Sequence, residues 1–365
     1  MNTPLAFSFH LPTRVVFRRG AVAMVPALDE VKGKRCMLLT LSSHAPEEAI
    51  TELGAAASHL TLIRGVEENP RHSYVCALAE QAVAEGIETV VAIGGGSAMD
   101  AAKAVAWFAA NPGWRIGEER QPAIPAMKLV AVPTTSGTGS EVSPFSVLTD
   151  DETHQKRFLK HPALMPAVAL CDPLLTVTMP VQVTADTGID ALSHAVEAYL
   201  SVLCQGFMEG IALESCRLVA ENLPVVLEND PGDMTARENL MLAALDGGIV
   251  LANCGTVFVH ALGYCLTAKF GYTHGKANAI LLAGFVEHLA ERGSPRAQAI
   301  LDIFGGSLRA FIERCGVPQK LPPGSVTSDE FAAWVSTGYN AYGRVNGVIA
   351  LDRSDVENVL NRVIA

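Results

Sequence analysis

Apolar runs of strand length recur through the first half of the chain and give way, near residue 179, to segments with helical spacing only. RCMLLTL (35–41), ASHLTLI (57–63), TVVAIG (89–94) and KLVAVP (128–133) are too short for typical helices and nearly continuous in aliphatic residues. That is the pattern of strands buried on both faces. APEEAITELG and residues 73–85, which lie between them, carry helical spacing. Such alternation predicts an open α/β sheet covered by helices. After LCDPLLTVTMP (170–180), residues 184–203, 208–222 and 236–268 all have helical spacing, with a turn at 230–232. The expectation is an α/β domain over 1–178 and an all-helical domain over 179–365; with 49% hydrophobic content the chain can fill two cores.

Charge and composition narrow the partners. A formal net charge of −11 disfavours nucleic acid and anionic membrane. The opening MNTPLAFSFHLPTRVVF lacks the basic stretch and long apolar run of a signal peptide, and no later segment offers about eighteen uncharged apolar residues in succession. A cytoplasmic protein is expected. The eight cysteines have neither paired C-x-x-C spacing nor the density of a disulfide scaffold, and read as buried thiols.

Two loops carry the first chemical signal. In VVAIGGGSAMDAAKAVA (90–106) a strand runs into Gly94, Gly95 and Gly96, and Ser97 opens a helix. Glycines let backbone N–H groups approach a ligand, and a helix start favours an anion such as pyrophosphate. The alternative is an ordinary strand-to-helix turn, because the pattern is not G-x-G-x-x-G. Asp100 reads as a first-turn or packing residue rather than a base, since an unpaired anion would repel pyrophosphate. VAVPTTSGTGSEVSPFSVLTD (130–150) follows another strand and gathers Thr134, Thr135, Ser136, Thr138 and Ser140. Their hydroxyls can serve phosphate, ribose or a carboxamide, or can close polar turns. Two such loops at neighbouring strand ends favour a dinucleotide crevice. Lys156 reads as either a cofactor contact or a surface lysine.

The second signal is a set of possible metal donors. In GIDALSHAVEAY (188–199), Asp190 and His194 are four residues apart and share one helix face. His260 lies in an apolar helical run and His274 immediately precedes Gly275. Singly, each histidine reads as a satisfied core residue or a helix terminus. Together the four residues can offer one carboxylate oxygen and three imidazole nitrogens to a divalent metal, with a position left for substrate. Glu197 reads as support for a helix terminus or for the donors, and Cys254 and Cys265 as packing thiols.

These motifs together resemble the iron-containing, or group III, alcohol dehydrogenase family. The resemblance runs from Phe9 to Leu282 through HLPTRVVFRRGA, GGGSAMDAAK, PTTSGTGSE, DPLLTVTMP, DTGIDALSHAVEAY and HGKANAILL. It implies a Rossmann-like N-terminal domain, a helical C-terminal domain, and a cleft holding NAD or NADP beside Fe2+ or sometimes Zn2+. By the same resemblance Asp190, His194, His260 and His274 are the metal ligands, and a homodimer is expected. Gly95, Gly96 and Ser97 match the pyrophosphate loop, while Thr134, Thr135 and Thr138 match the second cofactor loop. Asn69 and Lys156 fall at cofactor-contacting positions, with Leu175 near the cleft. The implied reaction is hydride transfer between NAD(P)H and a small alcohol, aldehyde or ketone.

Three departures stand out. Many relatives carry a second histidine four residues after the third ligand, where this chain has Tyr264. Tyrosine can relay a proton or pack there, although its reference pKa near 10 suits neutral-pH base chemistry less well. Relatives favouring NAD often place an aspartate after the first strand; Leu41, followed by Ser42 and Ser43, leaves room for a 2′-phosphate and tilts the expectation toward NADP. The C-terminal stretch NAYGRVNGVIALDRSDVENVL lacks the asparagine-proline-arginine ending common in the family. Two rival functions follow. One is a carbon–oxygen lyase resembling dehydroquinate synthase, against which Asp190 and the few basic residues over 253–282 argue. The other is a noncatalytic metal- or nucleotide-binding protein.

Overall fold

The computed structural model describes residues 5–41, 46–114, 116, 118, 122–344 and 347–364. The unit spanning Leu11–Thr178 contains, among its described residues, β1 (Arg14–Phe17), β2 (Arg35–Thr40), β3 (His59–Arg64), β4 (Thr89–Gly94), β5 (Lys128–Pro133), β6 (Phe145–Thr149), β7 (Lys156–Lys160) and β8 (Val168–Cys171). β6 and β7 form an antiparallel hairpin, and the other six strands form a parallel sheet in the order β1-β8-β5-β4-β2-β3. Side chains alternate across it as the strand period requires. Met37, Leu39, Val90, Ala92 and Ala131 enter a core with α2 (His72–Ala84) and α3 (Gly96–Ala110). Cys36, Leu38, Val91, Ile93 and Val130 enter the opposite core, with Ile50 and Leu53 of α1 (Glu47–Ala56).

This topology decides where loops can gather. β2 leads through α1 to β3 on one side, and β3 returns through α2 to β4 on the other side of β2. The carboxyl ends of β2 and β4 therefore feed loops that depart in opposite directions, the switch point at which open α/β sheets bind ligands. Leu41 leaves β2 there, Gly95 leaves β4, and Thr134 leaves the adjacent β5.

The second unit takes Met179–Ala365 together with the segment through His10. The described leading residues, 5–10, thus group with the helices, where a division at 1–178 puts them with the sheet. The helices are α4 (Val181–Tyr199), α5 (Phe207–Pro224), α6 (Met234–Cys254), α7 (Val259–Phe270), α8 (His274–Glu291), α9 (Pro295–Ile303), α10 (Leu308–Arg314), α11 (Ser328–Arg344) and α12 (Arg353–Asn361). The run expected to be helical over 236–268 is interrupted: α6 ends at Gly255, whose φ of +71° lies in the left-handed region, and α7 begins afresh at Val259. Among the described residues no single helix is long and apolar enough to cross a membrane, and only α6 and α7 taken together across a 111° bend match on length and composition. α4 packs against α5, α6 and α8 and is buried on every side from Gly188 to Tyr199. Such a helix should be apolar all round. Asp190, Ser193, His194 and Glu197 break that rule, and each buried polar group requires a partner.

Candidate functional site

Three helices of the second unit bring the expected donors together. Asp190 and His194 come from α4, His260 from the first turn of α7, and His274 from the first residue of α8. Asp190, His260 and His274 each offer one ligand atom, and these atoms all lie within 4.8 Å of one another. His194 joins from the side: its Nε2 is 4.0 Å from Asp190 Oδ1, and its ring stacks on His260 with centroids 4.8 Å apart. His274 Nε2 is 3.7 Å from the same Asp190 oxygen. Burial pushes the Asp190 carboxyl upward in pKa, but the facing His194, His274 and His260 imidazoles outweigh it, so the group lies below the ordinary aspartate value.

Glu197 explains how His260 is aimed. Its side chain is fully buried, and Oε1 accepts from the N–H groups of Val257, Phe258 and Val259 while Oε2 accepts from the His260 N–H and bonds His260 Nδ1. An anion thus satisfies the open N–H groups at the start of α7. Burial raises the Glu197 pKa, and His260 with these N–H groups more than reverses the effect, leaving it lowered. Burial alone would lower the His260 pKa, and Glu197 and Asp190 raise it on balance. With Nδ1 occupied by the carboxylate, His260 Nε2 remains buried without a hydrogen-bond partner among the described residues. This is the arrangement of a metal-ligating histidine held by a carboxylate behind it, and the donor set of carboxylate oxygen and imidazole nitrogens fits Fe2+ or Zn2+.

Sequence reasoning gives Glu197 as support for a helix terminus or for the donors, and the structure has it in both roles; Asn278 it missed. Asn278, fully buried on α8, donates from Nδ2 to Asp190 Oδ1 (3.4 Å) and lies 3.2 Å from His274 Nε2. Its available signal was the i,i+4 spacing from His274. Tyr264 stacks on His274, centroids 5.1 Å apart, so it borders the donor set. Gly275 allows α8 to begin against α4, because a Cβ there would lie 1.9 Å from the Asp186 carbonyl oxygen. Gly275→Ala is therefore expected to force α8 away from α4 and carry His274 with it. Calorimetry should show a loss of about 1–3 kcal/mol from overpacking, and metal analysis a reduced content; unchanged melting and full occupancy would refute this role.

In the α/β unit the two loops pack on each other. A Cβ on Gly95 would come 3.2 Å from Thr135 Cγ2, and one on Gly96 2.7 Å from Thr138 Cγ2. Thr134 N–H donates to Gly94 O at 3.0 Å. Ser97 Oγ accepts from the Asn69 N–H (3.2 Å), Asn69 O accepts from Thr149 Oγ1 (2.9 Å), and Lys156 Nζ donates to Thr149 Oγ1 (3.2 Å). Asn69, Ser97 and Lys156 thus form one chain of contacts. Burial pulls Lys156 down to about 8, against Asp100 and Glu68. Leu41 Cδ1 would be 3.9 Å from a Cβ on Gly94, so it borders the glycine turn. Ser42 and Ser43 lie outside the described residues. Leu175, half-buried, sits in the 3-10 turn after β8. Ser136 Oγ is buried with no hydrogen-bond partner among the described residues, leaving bonding capacity the loop does not itself use.

Comparison with known proteins gives the same two-part division. A family model for iron-containing alcohol dehydrogenase matches residues 12–173, and one for the C-terminal part of the Fe-containing alcohol dehydrogenase family matches 184–364. The bifunctional aldehyde-alcohol dehydrogenase of Escherichia coli (strain K12) is 37% identical over 300 residues, covering 77% of this chain and 33% of that protein. The chain therefore spans about a third of that relative's length. The 1-propanol dehydrogenase of Salmonella typhimurium is 33% identical over 302 residues, 81% of this chain and 75% of the relative. The crystal structure of an iron-containing alcohol dehydrogenase from Thermotoga maritima is 31% identical, covers 98% of this chain and 99% of its own, and superposes with a TM-score of 0.86. With both halves matched in order over the sheet and the donor-bearing helices, the chain belongs to the iron-containing alcohol dehydrogenase family.

Proposed function

We propose that the chain is a metal-dependent alcohol dehydrogenase, or aldehyde or ketone reductase, that transfers hydride between NAD(P)H and a small carbonyl substrate. The observation that carries this reading is the convergence of Asp190, His260 and His274, with His260 Nε2 left without a protein partner. His194 completes the ligand set, with Fe2+ as the metal and Zn2+ as the alternative that the same donors satisfy. Bound there, the ion supplies a Lewis acid for the alcohol or carbonyl oxygen, and the nicotinamide supplies the hydride. The residues of the chain orient the reactants and manage the proton. Glu197 fixes the His260 ring, Asn278 steadies Asp190 and His274, and Tyr264, whose ring stacks on His274, would hydrogen-bond or relay a proton beside them. Gly95, Gly96 and Ser97 would take the pyrophosphate, and Thr134, Thr135 and Thr138 the rest of the dinucleotide, with Asn69, Lys156 and Leu175 as further contacts. The reading extends to a homodimer in the cytoplasm, which sedimentation and cell fractionation test.

Protein loaded with Fe2+ is expected to interconvert NAD(P)H and NAD(P)+ with at least one of a panel of simple aldehydes, diols and acidic aldehydes, and to stop on chelation. Binding of metal and cofactor without turnover across that panel would identify a binding protein instead. Cofactor choice is tested in the same assay. By the family pattern Leu41 falls at the sequence position where relatives favouring NAD often carry an aspartate for the ribose, and an uncharged Leu41 would not repel a 2′-phosphate, which favours NADP. Leu41→Asp should shift the ratio of kcat/KM for NADP over NAD at least tenfold toward NAD. An unchanged ratio would remove Leu41 from the ribose site and leave the dehydrogenase reading intact.

A further inference from the structure

α3 carries a lysine where its neighbours are buried and apolar. Lys103 is 1% exposed within SAMDAAKAVAWF. Its Nζ donates to Ser140 Oγ (2.7 Å), Ser143 O (2.9 Å) and Phe145 O (2.8 Å), so all three ammonium hydrogens have acceptors. One turn earlier, Asp100 accepts from Ser140 Oγ (2.8 Å) and from the Val147 N–H (3.0 Å), and its carbonyl accepts from Ser146 Oγ (2.8 Å). Every one of these partners lies between Ser140 and Val147, the stretch that joins the second loop to β6.

We infer that Lys103 and Asp100 are positioning residues that set the second cofactor loop against the glycine turn from inside the α/β unit; the inference rests on the dinucleotide reading above. Two buried charges bridged by one serine hydroxyl are seldom the most stabilising filling for such a space, and apolar residues of similar volume commonly serve stability as well. What the charges add is geometric definition. The same Ser140 hydroxyl accepts from Lys103 and donates to Asp100, and the Ser140 N–H donates to Thr138 Oγ1 at 3.3 Å. Thr138 in turn packs on Gly96. The contacts therefore run from α3 through Ser140 and Thr138 back to the first turn of α3. Burial pulls Lys103 down to about 8 and pushes Asp100 up, each against the attraction of the other, so both groups depend on the loop partners named above.

Lys103→Met and Asp100→Asn, purified as metal-loaded protein, test the inference. Metal content should match wild type, while the dissociation constant for the preferred nicotinamide dinucleotide rises at least tenfold in Lys103→Met and by a smaller factor in Asp100→Asn. KM for the cofactor should rise with it and kcat fall less than threefold, a split that general destabilisation would not produce. Hydrogen exchange of the amides over 134–147, measured without cofactor, should be faster in the variants, with α1 unchanged. Dinucleotide affinity within twofold of wild type in both variants, or unchanged exchange over 134–147, overturns the inference. Should wild type bind neither NAD(H) nor NADP(H), the functional reading falls and the exchange measurement still decides whether α3 sets the loop. If Lys103→Met fails to fold, Asp100→Asn, which keeps the side-chain shape, carries both measurements.

Discussion

Alanine in place of His260 or of His274 should strip the protein of its metal while leaving it folded. Protein loaded with Fe2+ is expected to hold about one ion per chain, and either variant should retain well under a tenth of that after desalting, with turnover falling in parallel. The expectation follows from what each side chain has besides the metal. His260 bonds Glu197 through Nδ1 and offers Nε2 to no other group among the described residues. Its removal deletes a donor without breaking the bonds between Glu197 and the backbone N–H groups of residues 257–260 that lead into α7. His274 is about one-third exposed at the start of α8, so its loss leaves only a modest cavity. Metal analysis with thermal melting of the metal-free proteins separates the two effects. Full occupancy in both variants would remove these residues from direct ligation.

Glu197→Gln should weaken metal binding tenfold to a hundredfold although the residue touches no metal itself. The glutamine has the right size and the wrong polarity. One end can still accept from the Val257, Phe258 and Val259 N–H groups, but the other then presents an NH2 group to the His260 N–H and to Nδ1. For Nδ1 to accept, the imidazole proton must move to Nε2, the nitrogen the metal needs. The His260 N–H loses its acceptor, at a cost of about 1–3 kcal/mol. Metal titration should therefore show a weaker site, and the metal-free variant a lower melting temperature than wild type. A dissociation constant within twofold of wild type would mean that the His260 tautomer is set by something other than Glu197.

How far the sequence revealed this architecture depends on how local each signal is. β2, β4 and β5 were legible because each is a continuous apolar run buried on both faces. β1 and β8, four residues each, are too short to stand out from their flanks. The break between α6 and α7 was hidden because NCGTVFVHAL remains apolar across it, and hydrophobic spacing does not register one left-handed glycine. Among the donors, only Asp190 and His194 are related by helical spacing; His260 and His274 come from α7 and α8, so their proximity is a tertiary fact that residue chemistry offered as a candidate set and family resemblance assigned. Lys103 and Asn278 were missed for a related reason. A lysine is ordinarily exposed and an asparagine ordinarily caps or turns, and neither sequence position shows that the chain closes over it.

The contact between the two loops of the α/β unit also bears on entropy. Gly95 and Gly96 are filled from outside by Thr135 and Thr138, and both loops have a defined backbone before any nucleotide arrives. A ligand that must order a floppy loop gives up part of its interaction energy to that ordering. Here the loss is met during folding, when the threonines seat against the glycines. If these loops hold the dinucleotide as proposed, their affinity should vary little between dinucleotides that share a pyrophosphate, and discrimination would fall to groups outside the clasp, such as the Leu41 side chain that borders the glycine turn.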